Sequence, residues 1–362
     1  ILTIPSGYDR LQYLVVAGGG GGGAGIPKSL CGHRGHGGGG GAGGMKEGII
    51  SDPVAGNYTI VVGNGGNGTY ANGQNGSNSS ISGTSINIVS HGGGGGGKSY
   101  ITGCTTSGDG GAGQNGGSGG GAGWRVRYDD KYGIGISGEG NNGGNGYDIA
   151  SKGGGGGGKS SAGGNPTAGA GKSSSISGAP VTYATGGAGG SGSIPHAGAN
   201  GGANTGNGGG GGVGDTSLDI AMAGGNGGSG IVIVKLYVLE APNAPSGLTY
   251  SNVGCTTATL SWVNNSTGDT TGNHIYYSTG GTYSLLASVS SGETTYNVTG
   301  LTHNTTYYFK VSAYNSRYEL ESSIVWLTTL NATPYNLNYV LTDISIDLDW
   351  DINDSTYGTS IR

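Results

Sequence analysis

The chain has 362 residues, 90 of them glycine; charged residues make up 10% and the formal net charge is −5. No basic stripe is present, which removes the electrostatic footprint of a nucleic-acid partner. The longest apolar run, 231–236 with Lys235 inside it, is far too short to cross a bilayer, so no membrane insertion is expected.

All but nine of the glycines precede Tyr237, and many fall in blocks at 18–23, 37–41, 92–97, 153–158 and 208–212. A glycine block has no side chain to hold a proton, a metal or a core contact. It acts through backbone and shape, and this argues against an enzyme. Abundant Gly and Ser without a period ordinarily signals disorder, and fixing one residue's backbone costs roughly 1–2 kcal/mol. Strand-like runs at 11–16, 58–62, 86–89 and 231–236 argue for order, because they are rich in Val, Ile and Tyr. The first and last bracket the region as if a sheet closed it. Collagen is excluded by the missing Gly-X-Y period and by only nine prolines. The remaining expectation is extended left-handed glycine helices, polyglycine II, packed side by side within a β frame. Such helices have no internal hydrogen bonds, so each must bond to its neighbours. A substitution such as Gly94→Val would put a branched side chain where there is no room.

A stiff joint, Ala241-Pro-Asn-Ala-Pro245, follows. Beyond it, strands are predicted at 248–250, 257–263, 274–277, 295–298, 307–313 and 324–328. Their spacing indicates an all-β sandwich. After Leu330 the pattern restarts: 334–350 echoes 245–262, and 344–352 alternates apolar with polar residues. The expected fold class is therefore all-β. Residues 1–240 form a glycine-rich domain with polyglycine II helices, 241–330 a sandwich, and 331–362 the first strands of a second, truncated sandwich.

Residues 242–330 resemble a fibronectin type III domain, on Trp262 and on the stretch from Leu301 through Tyr307 and Val311 to Asn315. The resemblance implies that Tyr307 is the corner tyrosine, that Val311 faces the core and that Trp262 packs against the opposite sheet. Trp350 is the matching tryptophan of the second copy. Residues 11–236 resemble the glycine-rich domains of bacteriophage tail-fibre and adhesin proteins. The carrying features are Tyr13-Leu-Val-Val-Ala17 before the first glycine block, Gly56-Asn-Tyr-Thr-Ile-Val-Val-Gly63, and Gly227-Gly-Ser-Gly-Ile-Val-Ile-Val-Lys235. In relatives such regions include bundles of polyglycine II helices and can sit at the receptor-facing tip.

Several motifs invite chemistry. Residues 92–99 and 153–160 match a phosphate-binding loop by letter, but neither opens a helix, as phosphate binding requires. Cys31, His33 and His36 lack an evident fourth metal ligand. Asp343, Asp347, Asp349 and Asp351 read as the solvent side of a strand, whereas calcium needs ligands converging from a loop. No metal, cofactor or catalytic group is assigned. Cys31 and Cys104 either pair, if the fold brings them together, or stay as free thiols. Trp124-Arg-Val-Arg-Tyr128-Asp-Asp-Lys-Tyr132 is the densest charged and aromatic segment of the glycine region. Trp124, Arg125, Arg127, Tyr128 and Tyr132 are candidate receptor contacts, since aromatics and Arg are enriched at binding hot spots; the alternative is an inserted hairpin packed on the glycine scaffold.

The expectation for function is a non-enzymatic structural or adhesive protein on a virion surface, such as a bacteriophage tail fibre. Its partners would be other virion proteins, a host-surface glycan or protein receptor, and further copies of itself in a homo-oligomer. The alternative is a bacterial cell-surface adhesin or extracellular filament subunit.

Overall fold

The computed structural model describes residues 1–26, 35–99, 110–124, 131–146, 152–215, 219–265, 269–332, 334–341, 346–352 and 358–361. The chain divides into two compact units, Ile1–Val238 and Leu239–Arg362. Both are built of strands, with no helix among the described residues.

The first unit carries nine strands: β1 (Leu2–Ile4), β2 (Arg10–Val16), β3 (Met45–Ser51), β4 (Gly56–Val61), β5 (Ser79–Ser82), β6 (Asn87–Ser90), β7 (Lys172–Ser174), β8 (Val181–Tyr183) and β9 (Ile231–Tyr237). They form three sheets, ordered β3-β2-β9, β1-β4-β5-β6 and β7-β8. β2 is the centre of the first sheet. It pairs antiparallel with β9 over its whole length, Arg10 opposite Tyr237 and Val16 opposite Ile231, so the two bracketing runs do close the region. Side chains alternate across β2. Leu11 and Val15 pack with Ile4, Tyr58, Ile81 and Ile86 of the four-stranded sheet. Leu14 and Val16 pack with Met45, Ile176 and Tyr183 on the other side. The sequence hides β3 because Gly48 interrupts it. Gly48 lies opposite Tyr13, and a Cβ there would meet the Tyr13 hydroxyl oxygen at 2.7 Å.

Strands of this frame run on directly into glycine. Residues 17–25 continue β2, and their backbone N–H groups point in three directions in rotation. Ala17, Gly20 and Gly23 donate to Gly44, Gly41 and Gly38; Gly18, Gly21 and Ala24 donate to Ser77, Gln74 and Ala71; Gly19, Gly22 and Gly25 donate to Gly228, Gly225 and Met222, all at 2.8–3.0 Å. Their carbonyls accept from three further runs, at 93–99, 209–212 and Gly66. Residues 17–25 thus have six bonded neighbours. Residues 37–44 are enclosed in the same way, donating to 206–212, 91–97 and 154–157, and accepting from 17–23, 118–121 and 187–190. A direction that recurs every third residue is what a chain with three residues per turn produces.

Two observations explain why these positions are glycine. None of the described glycines in the five blocks has a positive φ, so conformational freedom is not the reason. Space is: a Cβ on Gly20 would run into the carbonyl oxygen of Gly94, and one on Gly94 into that of Gln114. Where no backbone is available, asparagine replaces it. Asn78, Asn75 and Asn72 present their Oδ1 atoms to the N–H groups of Gly92, Gly95 and Lys98 at 2.9, 2.8 and 2.9 Å, a side-chain row with the same three-residue spacing.

The second unit begins with eight strands: β10 (Ser246–Ser251), β11 (Ala258–Val263), β12 (Gly272–Ser278), β13 (Ser284–Ser290), β14 (Thr295–Val298), β15 (Thr306–Tyr314), β16 (Glu319–Glu321) and β17 (Val325–Thr328). Sheet β10-β11-β14 faces sheet β13-β12-β15-β16, with β17 also on β15. Leu260, Trp262, Ile275, Phe309, Val311 and Leu327 fill the space between them. The six runs expected from the sequence correspond to β10, β11, β12, β14, β15 and β17; β13 and β16 were not foreseen. The rest of the described chain is a three-stranded antiparallel sheet of β18 (Pro334–Leu341), β19 (Ile346–Ile352, containing Trp350) and β20 (Gly358–Ile361).

Candidate functional site

The glycine runs reverse at two ends. At one end they join the sheets. At the other, residues 24–26, 35–36, 98–99, 110–111, 123–124 and 213–215 form a connected layer: Ser99 N–H donates to Ala24 O, Gly35 N–H to Ile26 O, Gly111 N–H to Lys98 O, Gly123 N–H to Gly111 O, and Gly214 N–H to Gly35 O.

Trp124 belongs to the layer itself. Its N–H donates to His36 O at 2.8 Å, extending the row in which Ser118 and Gly121 bond Ala42 and Gly39. The residue is only 6% exposed. At Trp124 itself the ring ends a packed glycine run, the arrangement that the alternative of packing on the scaffold expects. Tyr132 is half-buried, beside Lys131, whose carbonyl accepts from Gly113. Arg125, Arg127 and Tyr128 lie outside the described residues, as do Cys31, His33 and Cys104. His36 is buried, with Nε2 3.1 Å from Gly192 O. Among the described residues no group of three or more His, Cys, Asp or Glu is placed to hold a metal. Cys255 is a half-buried free thiol.

The phosphate-loop match at 92–99 lies inside the lattice. The N–H groups of Gly93, Gly94, Gly96 and Gly97 are donated to Gly18, Ser118, Gly21 and Gly121, and those of Gly92, Gly95 and Lys98 to the asparagine row. No N–H of this stretch is left to cradle an anion.

One charged cluster escaped the sequence reading, because its members are far apart in the chain. Glu139, 3% exposed, receives the His91 N–H at 2.8 Å and faces His91 Nδ1 at 3.0 Å and Lys46 Nζ at 2.9 Å. Burial pushes its carboxyl up, but the His91 N–H and the Lys46 and His91 side chains outweigh this and hold it below its ordinary value. Lys46 also donates to Val89 O at 2.7 Å. The cluster ties the turn at 137–139 to β3 and to the residue after β6. It borders a cavity of about 180 Å³ lined by Tyr13, Met45, Lys46, Glu47, Gly138, Lys159 and Lys172.

In the second unit, Trp262 and Tyr307 are buried, at 4% and 6% exposure. The Tyr307 hydroxyl accepts the Thr302 N–H at 2.9 Å, which closes the corner before β15. On the outer face, His274 stacks on Tyr314 with centroids 3.8 Å apart. His274 and Tyr276 both reach Glu319 Oε1, at 2.9 and 2.8 Å.

A profile of the glycine-rich domain family matches residues 1–237. The chain belongs to the glycine-rich domain family. A fibronectin type III domain matches residues 243–327, in agreement with the buried Trp262 and the Tyr307 corner. Among solved structures, the fibronectin type III domain of human contactin 1 is similar at 20% identity over 26% of this chain and 84% of that one, with a TM-score of 0.25. A domain of human fibronectin type III domain containing protein 3 is similar at 24% identity over 26% of this chain and 90% of that one, with a TM-score of 0.23. Comparison with curated proteins found no match. The glycine-rich domain and the fibronectin type III domain fit a structural or adhesive role, and fibronectin type III domains are typically non-catalytic modules.

Proposed function

We propose that this glycine-rich domain protein is an attachment component of a virion surface appendage, a bacteriophage tail fibre or its like. The glycine lattice is the rigid mount, and the chain inserted at the end away from the sheets meets the host surface. One observation carries this reading. Side-chain chemistry is nearly absent from the lattice, while Ile26, Ser99 and Trp124, the residues just before three of the non-glycine segments, all belong to that one end layer. The fibronectin type III domain serves as spacer or docking unit to other appendage proteins.

The test is binding of the fluorescently labelled full chain to a panel of host cells. Replacing Arg125, Arg127 and Tyr128 together by Ser is expected to abolish binding while leaving the melting temperature unchanged. Failure of the unmodified chain to bind any susceptible strain overturns the proposal, and so does unchanged binding by the triple variant.

A further inference from the structure

Residues 205–214 form a third glycine run, and its bonding is incomplete in one direction. Around this run, donating and accepting directions alternate. Gly209 and Gly212 donate to Gly20 and Gly23; Gly40 and Gly37 donate back to the same two residues' carbonyls. Gly210 donates to Ala199 and accepts from Gly225. Gly208 and Gly211 donate to Thr185 and Ala188. Their own carbonyls, three residues apart and on buried residues, accept nothing from any described residue. Five directions are filled; the sixth, an accepting one, is met at Thr205, whose carbonyl takes the Ala184 N–H at 2.8 Å, and stands open at Gly208 and Gly211.

A groove marks the same place. It has a volume of about 430 Å³, with Gly208, Gly210 and Gly211 at its base and the runs 185–189 and 199–202 along its sides. Inside the lattice, a Cβ on glycine collides with a carbonyl. On Gly210 the nearest atom is instead an amide nitrogen, Ala199 N at 3.0 Å, a tight contact, with the carbonyl oxygens of Ala199 and Ala188 farther off at 3.5 and 3.7 Å. The N–H of Ala188, an exposed residue on one wall, also makes no bond to a described residue. At the groove's end the Thr185 N–H is held by Asn207 Oδ1 at 2.9 Å. The fold meets the same need elsewhere with a full row, as Asn72, Asn75 and Asn78 do.

We propose that this groove is a binding site for an extended glycine-rich segment of another protein, recognised through its backbone. The occupant takes the sixth lattice position, gives N–H groups to the carbonyls of Gly208 and Gly211, and accepts the Ala188 N–H. Buried backbone groups require partners, and two acceptors three residues apart match the donor spacing of a chain with three residues per turn. A side chain pointing into the groove base would meet the carbonyls, so the occupant is glycine at those positions. The groove reaches toward the end layer through His196, which pairs with Val213, but its open carbonyls belong to the lattice and not to the inserted chain, so the inference stands whether or not the host-attachment reading holds.

The probe is a dye-labelled peptide copying residues 91–99, titrated against the full chain by fluorescence anisotropy. A peptide of equal length with every glycine N-methylated has no N–H to donate there. It is expected to bind at least about tenfold more weakly, the cost of leaving a buried acceptor unmet. Ala199→Trp, which fills the groove from its wall, is expected to weaken the unmethylated peptide by at least the same factor, with circular dichroism unchanged. Absence of peptide binding would mean that only water fills the groove, and overturns the proposal. Equal binding of the methylated peptide overturns it too. So does self-association of the unmodified chain in sedimentation that Ala199→Trp abolishes, because a second copy is then the occupant.

Discussion

The two units reach order by opposite means. The fibronectin type III domain closes around side chains: Leu260, Ile275, Phe309 and Val311 are fully enclosed, and the apolar area they remove from water drives folding. The glycine lattice closes around the absence of side chains. Its runs touch backbone to backbone and hold through hydrogen bonds worth about 1 kcal/mol each. One unit is sensitive to atoms removed, the other to atoms added.

Methyl groups break this comparison most sharply. Gly20→Ala adds a single carbon aimed at the Gly94 carbonyl. Because both atoms belong to backbone fixed by six neighbours, the expected cost exceeds about 4 kcal/mol. In calorimetry the first unit's transition should vanish while the second unit's remains. A retained first transition would mean that the runs can slide apart. Leu260→Ala is the mirror experiment. Removing a fully buried leucine should cost the second unit about 2–5 kcal/mol and leave the first unit's transition in place.

Asn75→Ala tests whether a side chain can stand in for a neighbouring run. It strands the Gly95 N–H inside the lattice, at an expected cost of about 1–3 kcal/mol. Amide exchange at Gly95 should rise while exchange at Gly96, bonded to Gly21 O, stays slow. The smallest effect is that of acid. The Glu139 and Glu319 carboxyls are both held below their ordinary value of 4.5. For Glu319, burial opposes the shift, and bonds from Ser312, His274 and Tyr276 outweigh it. A group lowered in the folded state adds stability that is fully present above its unfolded value and is lost as pH falls through the folded one. Both melting temperatures should therefore decline on acidification below about pH 4.5, and Glu139→Gln should flatten the decline of the first transition alone.

Much of this was legible in the sequence. Val, Ile and Tyr runs at both edges of the glycine region foretold the closing of β2 on β9. Trp262 and Tyr307, at their characteristic places, foretold the sandwich core and its corner. What stayed hidden was contact between remote segments. Gly48 disguised β3 because its partner, the Tyr13 ring, comes from a different strand. Glu139, His91 and Lys46 meet only once the turn at 137–139 lies against β3. Trp124 opens the densest charged and aromatic segment of the glycine region, a composition that fits receptor contact and packing on the scaffold equally. Its place is set by the three-residue row from Ser118 through Gly121, and that row becomes visible only when the partner run at 36–42 is known.

The asparagine row has a chemical consequence as well as a structural one. Asn-Gly is a dipeptide prone to spontaneous deamidation, because the glycine nitrogen can swing onto the asparagine amide carbon. Asn72-Gly73 and Asn75-Gly76 are two such pairs. Here the attacking nitrogens are engaged, Gly73 with Gly96 O and Gly76 with Gly93 O at 2.8 and 2.9 Å, and the amide oxygens are fixed by Lys98 and Gly95. The geometry of attack is unreachable while the lattice is closed. Ageing of these asparagines therefore reports lattice opening: the aspartate formed registers the time the lattice has spent open.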